Sequence, residues 1–293
     1  LASLPALPAA VLADPISVPP TALLPAGQTT LRSFVSAPFP HPSRAAGHDY
    51  QGKHYSAAAA YSDSTVGIYV PSYYRPAKTV DLVVHFHGWN NDVPTVLSHY
   101  LLREQLEASR RNAILIVPQG PKDAPDSGDG KIELDDGAFA RFVNDVAGYL
   151  QSVGVTTTAS IGKIAVTAHS GGYGAVGGLL TRGGMNDAIT DVILFDALYG
   201  DFDAFTKWAS PDPSRHFLSL YTAYTAVNNA TVMAKMQKPQ PNLVMLDGST
   251  MTLAQLQTRA PTFVVTDVAH DDLMQKLDWY ELFLKSTALT TAF

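Results

Sequence analysis

Lys163-Ile164-Ala165-Val166-Thr167-Ala168-His169-Ser170-Gly171-Gly172 decides how this chain is read. An apolar run, rich in β-branched residues, stops abruptly at a serine set among small residues. Helical spacing follows at once, with Ala175, Val176, Leu179 and Leu180 on one stripe. The pattern is strand, sharp turn, helix, with Ser170 at the tip. A serine there takes strained backbone angles and tolerates only small neighbours, because strand and helix nearly touch. Its hydroxyl is exposed, with a helix N-terminus behind it and backbone N–H groups beside it. A glycine-rich turn that merely packs a helix on a sheet has the same local pattern, so the rest of the chain must supply the context.

Working outward, apolar runs alternate with helical patterns. Val80 to Gly88, Ala113 to Gly120, Asp191 to Gly200, His216 to Tyr221 and Thr262 to His270 read as further strands, several of buried parallel type. Pro94 to Ser109, Asp135 to Leu150, Phe202 to Trp208, Thr225 to Met236 and Asp271 to Leu284 read as helices. Tyr61 to Tyr74 reads as a strand pair, with Arg75 to Lys78 as a turn. The fold class is α/β, a mostly parallel, doubly wound sheet flanked by helices. Residues 200–215 and 222–260 are the candidate lid pieces.

The chain has 293 residues and a formal net charge of −6, with no Lys/Arg cluster able to follow a phosphate backbone, so no nucleic-acid partner is expected. It has no cysteine, which excludes disulfides, thiolate chemistry and cysteine-bound zinc. No apolar run approaches the roughly 20 residues of a membrane span. Residues 1–46 form a Pro/Ala-rich, irregular N-terminal extension, and residues 47–293 a single domain. The extension reads as a linker or surface wrap following a removed secretory signal, which implies a secreted or periplasmic protein whose core folds without it. Nothing fixes an oligomeric state.

The stretch around Ser170 matches a small-x-Ser-x-Gly nucleophile elbow, with Ala168 where the first glycine is usual. Tyr69-Val70-Pro71-Ser72, Pro76-Ala77-Lys78 and Leu82-Val83-Val84 to His87-Gly88 are similar to the opening of family esterases. Over about residues 60–290 the chain thus resembles the α/β-hydrolase superfamily. The resemblance implies a serine hydrolase, carboxylesterase-like, acting on a small-molecule or polymer ester with no cofactor. Ser170, Asp196 and His270 come in the family order, each just past a strand. It makes the backbone N–H groups of Trp89 and Gly171 the oxyanion donors. The usual acid position in the family follows the next strand, where Tyr221 to Thr225 hold no carboxylate. Asp196 is therefore the candidate acid, with Asp247 and Asp267 as reserves. His87 and His85 are expected to pack beneath the loop rather than move protons, and His169 likewise. Trp89, Tyr173 and Tyr199, with Tyr221 and Tyr224, are candidates for the substrate pocket. Asp123, Asp126 and Asp129 lack EF-hand spacing and read as a solvated acidic loop rather than a metal site. The same triad serves acyl transfer or amide hydrolysis, and a non-catalytic binding module is the alternative of another class.

Overall fold

Val80, Leu82, Val84 and Phe86 enter one apolar cluster, whereas Val83 enters a second. Successive side chains of a strand face opposite ways, so an unbroken apolar run demands cover on both sides. The computed structural model supplies it. The structure describes residues 27–292 apart from 129, 210–211, 213, 238–241 and 276–277.

The chain begins with β1 (Gln28–Ser33), β2 (His48–Tyr50), β3 (Lys53–Tyr55), α1 (Ala57–Ala60), β4 (Thr65–Val70) and β5 (Val80–Phe86). It continues through α2 (Val93–His99), α3 (Leu102–Ser109), β6 (Ala113–Pro118), α4 (Gly130–Leu134), α5 (Ala138–Ser152) and β7 (Ile161–His169). Then come α6 (Tyr173–Arg182), β8 (Ile189–Phe195), α7 (Phe202–Trp208), β9 (His216–Tyr221) and α8 (Ala226–Gln237). The last elements are β10 (Val244–Asp247), α9 (Leu253–Leu256), β11 (Thr262–Val265) and α10 (Trp279–Ser286). Among the described residues, nine strands make one sheet in the order β1-β4-β6-β5-β7-β8-β9-β11-β10. The run from β6 to β10 is parallel, and β4 is antiparallel to both its neighbours. Helices α5 to α8 contribute to the cluster on one face through Phe139, Val176, Phe205 and Val232. Helices α2, α3, α9 and α10 contribute to the other through Leu97, Leu106, Leu256 and Phe283.

Register positions the site. Phe86 lies beside Ala168, His169 beside Phe195, and Tyr221 beside Val265. The loops leaving β5, β7, β8, β9 and β11 therefore rise side by side from the carboxyl edge of the sheet. Open parallel sheets gather ligands there.

The structure differs from the sequence reading at several points. The described part of the N-terminal extension is built into the domain: β1 pairs with β4 along six residues, and Ala37 and Phe39 are fully buried. β1 falls in the proline-free gap between Pro25 and Pro38, at a sheet edge where neighbouring prolines do no harm. Residues 1–26 lie outside the described residues. Tyr61 to Tyr74 holds one strand, β4, whose antiparallel partners are β1 and β6. The helix expected over Pro94 to Ser109 is split at Leu101, which takes a left-handed φ of 52°. This reorients the chain so that α2 meets β4 and α3 meets α10. β11 ends at Val265, and His270 stands on the following loop in a 3-10 turn, His270–Asp272. The closing helix starts at Trp279 rather than Asp271; Leu277 lies outside the described residues. The expected lid pieces hold α7, α8, β10 and α9, whose Phe205, Trp208, Val232, Met236 and Leu256 are core residues. No helix among the described residues is long and apolar enough to cross a membrane.

Removing residues 27–45 is expected to lower Tm markedly. Phe39→Ala alone is expected to cost about 3–5 kcal/mol, read as a lower urea midpoint, whereas Val35→Ala, at a side chain 92% exposed, leaves the midpoint unchanged.

Candidate active site

Ser170 directly follows β7 and has a left-handed φ of 53°. Such a conformation costs about 1–3 kcal/mol in a non-glycine residue and persists only where its surroundings impose it. Here the surroundings are very close. A Cβ on Gly172 would stand 2.5 Å from the Phe86 carbonyl oxygen, and one on Gly88 would stand 2.7 Å from the Ser170 Cβ. The loop leaving β5 is therefore pressed against the turn that carries Ser170.

Asp196 follows β8, also with a left-handed φ, and is fully buried. Its Oδ1 accepts from the Thr222 backbone N–H at 3.0 Å and from the Thr225 hydroxyl. Its Oδ2 accepts from the Thr222 hydroxyl at 2.6 Å and from His270 Nδ1 at 2.7 Å. Burial pushes this carboxyl up, but the bonds from His270, Thr222 and Thr225 outweigh it and hold the group below the usual carboxylate range. An ionised Asp196 needs a proton on Nδ1, which leaves Nε2 of a neutral His270 as an acceptor. The reserve carboxylates are elsewhere: Asp247, at the end of edge strand β10, is exposed and bonded to Ser249, and Asp267 is exposed.

Ser170 and His270 line one cavity of about 330 Å³, together with Trp89, Ser127, Gly171, Tyr173 and Tyr199. Trp89 Nε1 donates to Ser127 Oγ at 2.7 Å, and its ring meets that of Tyr50 edge-on at 5.3 Å. Tyr224 is 75% exposed, its ring 5.9 Å from that of His270. Tyr221 is buried in the core instead.

No family model matches the sequence, and no curated protein matches it either. Solved structures do. A mutant of the feruloyl esterase module from Clostridium thermocellum, complexed with sinapinate, superposes with a TM-score of 0.55 at 12% identity, covering 89% of this chain and 88% of that one. A structure named FAE gives 0.52 at 13% identity over 89% and 88%. An S-formylglutathione hydrolase from Agrobacterium tumefaciens gives 0.47 at 12% identity over 75% and 90%. With the sheet order and the turn at Ser170, the first two of these likenesses fix the architecture. The chain has the α/β-hydrolase fold.

In this α/β-hydrolase fold three buried histidines brace the site. His87 donates from Nδ1 to the Gly88 carbonyl at 2.8 Å and accepts at Nε2 from Gln119 and from the Gly120 N–H. His85 bonds Thr167 across the strands. His169 reaches the His270 carbonyl through Nε2 at 3.2 Å, with the two rings 4.8 Å apart. Burial, reinforced by repulsion from His270, pushes His169 down to about 4.

The acidic loop is not simply solvated. Asp126 is buried and held by Arg44 through two bonds, Nε to Oδ2 at 2.6 Å and Nη2 to Oδ1 at 2.9 Å. Asp129 lies outside the described residues, and no group of three or more His, Cys, Asp or Glu able to hold a metal occurs among the described residues. Ser127, Thr222, Thr225 and Arg44 are given no role in the sequence reading. Each owes its place to a partner distant in the chain, and only the missing carboxylate after β9 hinted at the two threonines.

Asp196 binds its proton less readily folded than unfolded. Its contribution to stability is thus present above about pH 4, the unfolded value, and is lost as pH falls through the lower folded value. Thr222→Val removes one donor and raises the folded value. The acid-unfolding midpoint, followed by circular dichroism, is expected to move to higher pH.

Proposed function

We propose that this chain is a serine hydrolase that cleaves carboxylic esters of small-molecule or polymeric alcohols, with Ser170, His270 and Asp196 as its triad. The carrying observation is the 2.7 Å bond from His270 Nδ1 to a fully buried Asp196, with His270 and Ser170 on one cavity. In this reading His270 Nε2 takes the Ser170 proton as Oγ bonds to the acyl carbon. Asp196 keeps the imidazole oriented and stabilises its cation without itself taking the proton. The carbonyl π pair moves onto oxygen, where the backbone N–H groups of Trp89 and Gly171 receive the charge. As the tetrahedral adduct collapses, the carbon–alkoxide bond breaks and His270 protonates the leaving alcohol. Water then repeats the sequence on the acyl-enzyme, releasing acid and restoring Ser170.

The rings of Trp89, Tyr173 and Tyr199 suit an uncharged acyl group with a flat apolar face. The presence of sinapinate in the Clostridium feruloyl esterase module is consistent with that shape class. A secreted or periplasmic setting belongs to the same reading and rests on the composition of residues 1–40.

The test is turnover of p-nitrophenyl esters together with fluorophosphonate labelling. Ser170→Ala is expected to abolish both while Tm stays within a few degrees. Asp196→Asn is expected to lower kcat roughly 10²–10⁴-fold. Turnover retained by the Ser170 variant would remove the nucleophile assignment.

A further inference from the structure

Ser127 sits on the loop between β6 and α4, which carries neither the nucleophile, the acid nor the base. Three observations place its hydroxyl against the reacting centre. It lines the same cavity as Ser170 and His270. A Cβ on Gly171, the residue after Ser170, would stand 2.9 Å from Ser127 Oγ. The neighbouring Gly174 in α6 lies so near that its Cβ would be 2.3 Å from the Ser127 carbonyl oxygen. The backbone of residue 127 is thus pinned against the start of the helix.

The hydroxyl is also oriented. It accepts the Trp89 indole N–H at 2.7 Å. A serine hydroxyl has one hydrogen and two lone pairs, so accepting from Trp89 leaves its own hydrogen to donate, either to the neighbouring Tyr173 hydroxyl or to a substrate oxygen that takes its place. The preceding residue fixes the loop from below. Asp126 takes both bonds of the Arg44 fork and accepts the Gly128 N–H at 3.0 Å. A bidentate arginine–carboxylate pair has a defined geometry as well as strength. Arg44 comes from the N-terminal segment, which the sequence reading set outside the domain.

We propose that Ser127 is a specificity-determining residue, whose hydroxyl donates to a hydrogen-bond acceptor on the acyl group within a few atoms of the scissile carbonyl. Arg44, through Asp126, is the positioning residue that holds it there. The preferred acyl class is therefore an uncharged acid bearing an ether or hydroxyl oxygen near its carbonyl. This rests on the ester-hydrolase reading of the site. A site built to hydrogen-bond a substrate oxygen discriminates against the analogue lacking it, because its own polar group is then left unpaired.

The experiment uses two esters of nearly equal shape, p-nitrophenyl methoxyacetate and p-nitrophenyl butyrate, which differ by an oxygen in place of a methylene. The readout is the ratio of their kcat/KM values in the wild-type chain and in each variant, so intrinsic reactivity cancels. Ser127→Ala is expected to lower the methoxyacetate-to-butyrate ratio about 5–10-fold, the effect of one hydrogen bond. Ser127→Thr, which keeps the hydroxyl, is expected to retain most of the ratio. Arg44→Lys, which loses the fork but keeps the charge, is expected to fall between them. Equal losses on both esters in Ser127→Ala, or an unchanged ratio, overturn the specificity role while leaving the hydrolase reading standing. An unchanged ratio in Arg44→Lys overturns the positioning role alone. Failure of the wild-type chain to cleave either ester overturns the hydrolase reading, and the proposal with it.

Discussion

The site depends on one steric constraint, the near contact of three chain segments at the end of β7. The turn at Ser170 lies against Gly88 on one side and closes over the Phe86 carbonyl at Gly172. A Cβ at either glycine would stand at 2.5 or 2.7 Å from its neighbour, well inside ordinary contact, so the segments would have to move apart. With the glycines in place, residues from β5, β7 and α6 meet without intervening atoms. The strained serine backbone is then held by packing on every side, as a left-handed non-glycine residue requires. The parallel register extends the arrangement, because strands that end level deliver their loops level.

Asp196 shows how a fold accommodates a buried carboxylate. Asp196 stands after β8, and the loop after β9 carries hydroxyls instead of a carboxylate. Those hydroxyls point at Asp196. Thr222 gives two bonds to it and Thr225 a third, so a fully buried charge is balanced by three donors before His270 is counted. A buried carboxylate without them would take up a proton rather than stay ionised. The two loops therefore act as one unit, one supplying the charge and the other making the charge tolerable.

Much of this was open to reading in sequence for a simple reason. The central strands are buried on both faces, so their apolar runs stand out, and α7 and β9 have the expected bounds. Ser170 and Asp196 follow such runs directly, whereas His270 stands on the loop beyond β11. What escapes the sequence depends on distant partners or on marginal elements. β10 is four residues at a sheet edge, alternately half-buried and exposed, and its apolar run, Leu243 to Leu246, is too short to stand out. β1 hides in a segment whose prolines suggest irregular chain. Arg44 meets Asp126 across 82 residues, and Thr222 meets Asp196 across 26, separations at which no local pattern signals a contact. The break at Leu101 is likewise set by what α2 and α3 pack against, since helical spacing runs straight through it.

Three of the buried histidines, those around the site, carry a consequence for the conditions the fold tolerates. His85, His87 and His169 all have proton affinities lowered by burial, so each takes up a proton less readily in the folded chain than in the unfolded one. Stability from this source is complete above about pH 6.5, the unfolded value, and drains away as pH falls below it. These rings lie on β5 and β7, under the loop at Gly88 and beside His270. Protonation of these rings therefore acts where the loops of the site are anchored. The imidazoles packed under the centre in neutral water are thus the same groups through which acid acts on it.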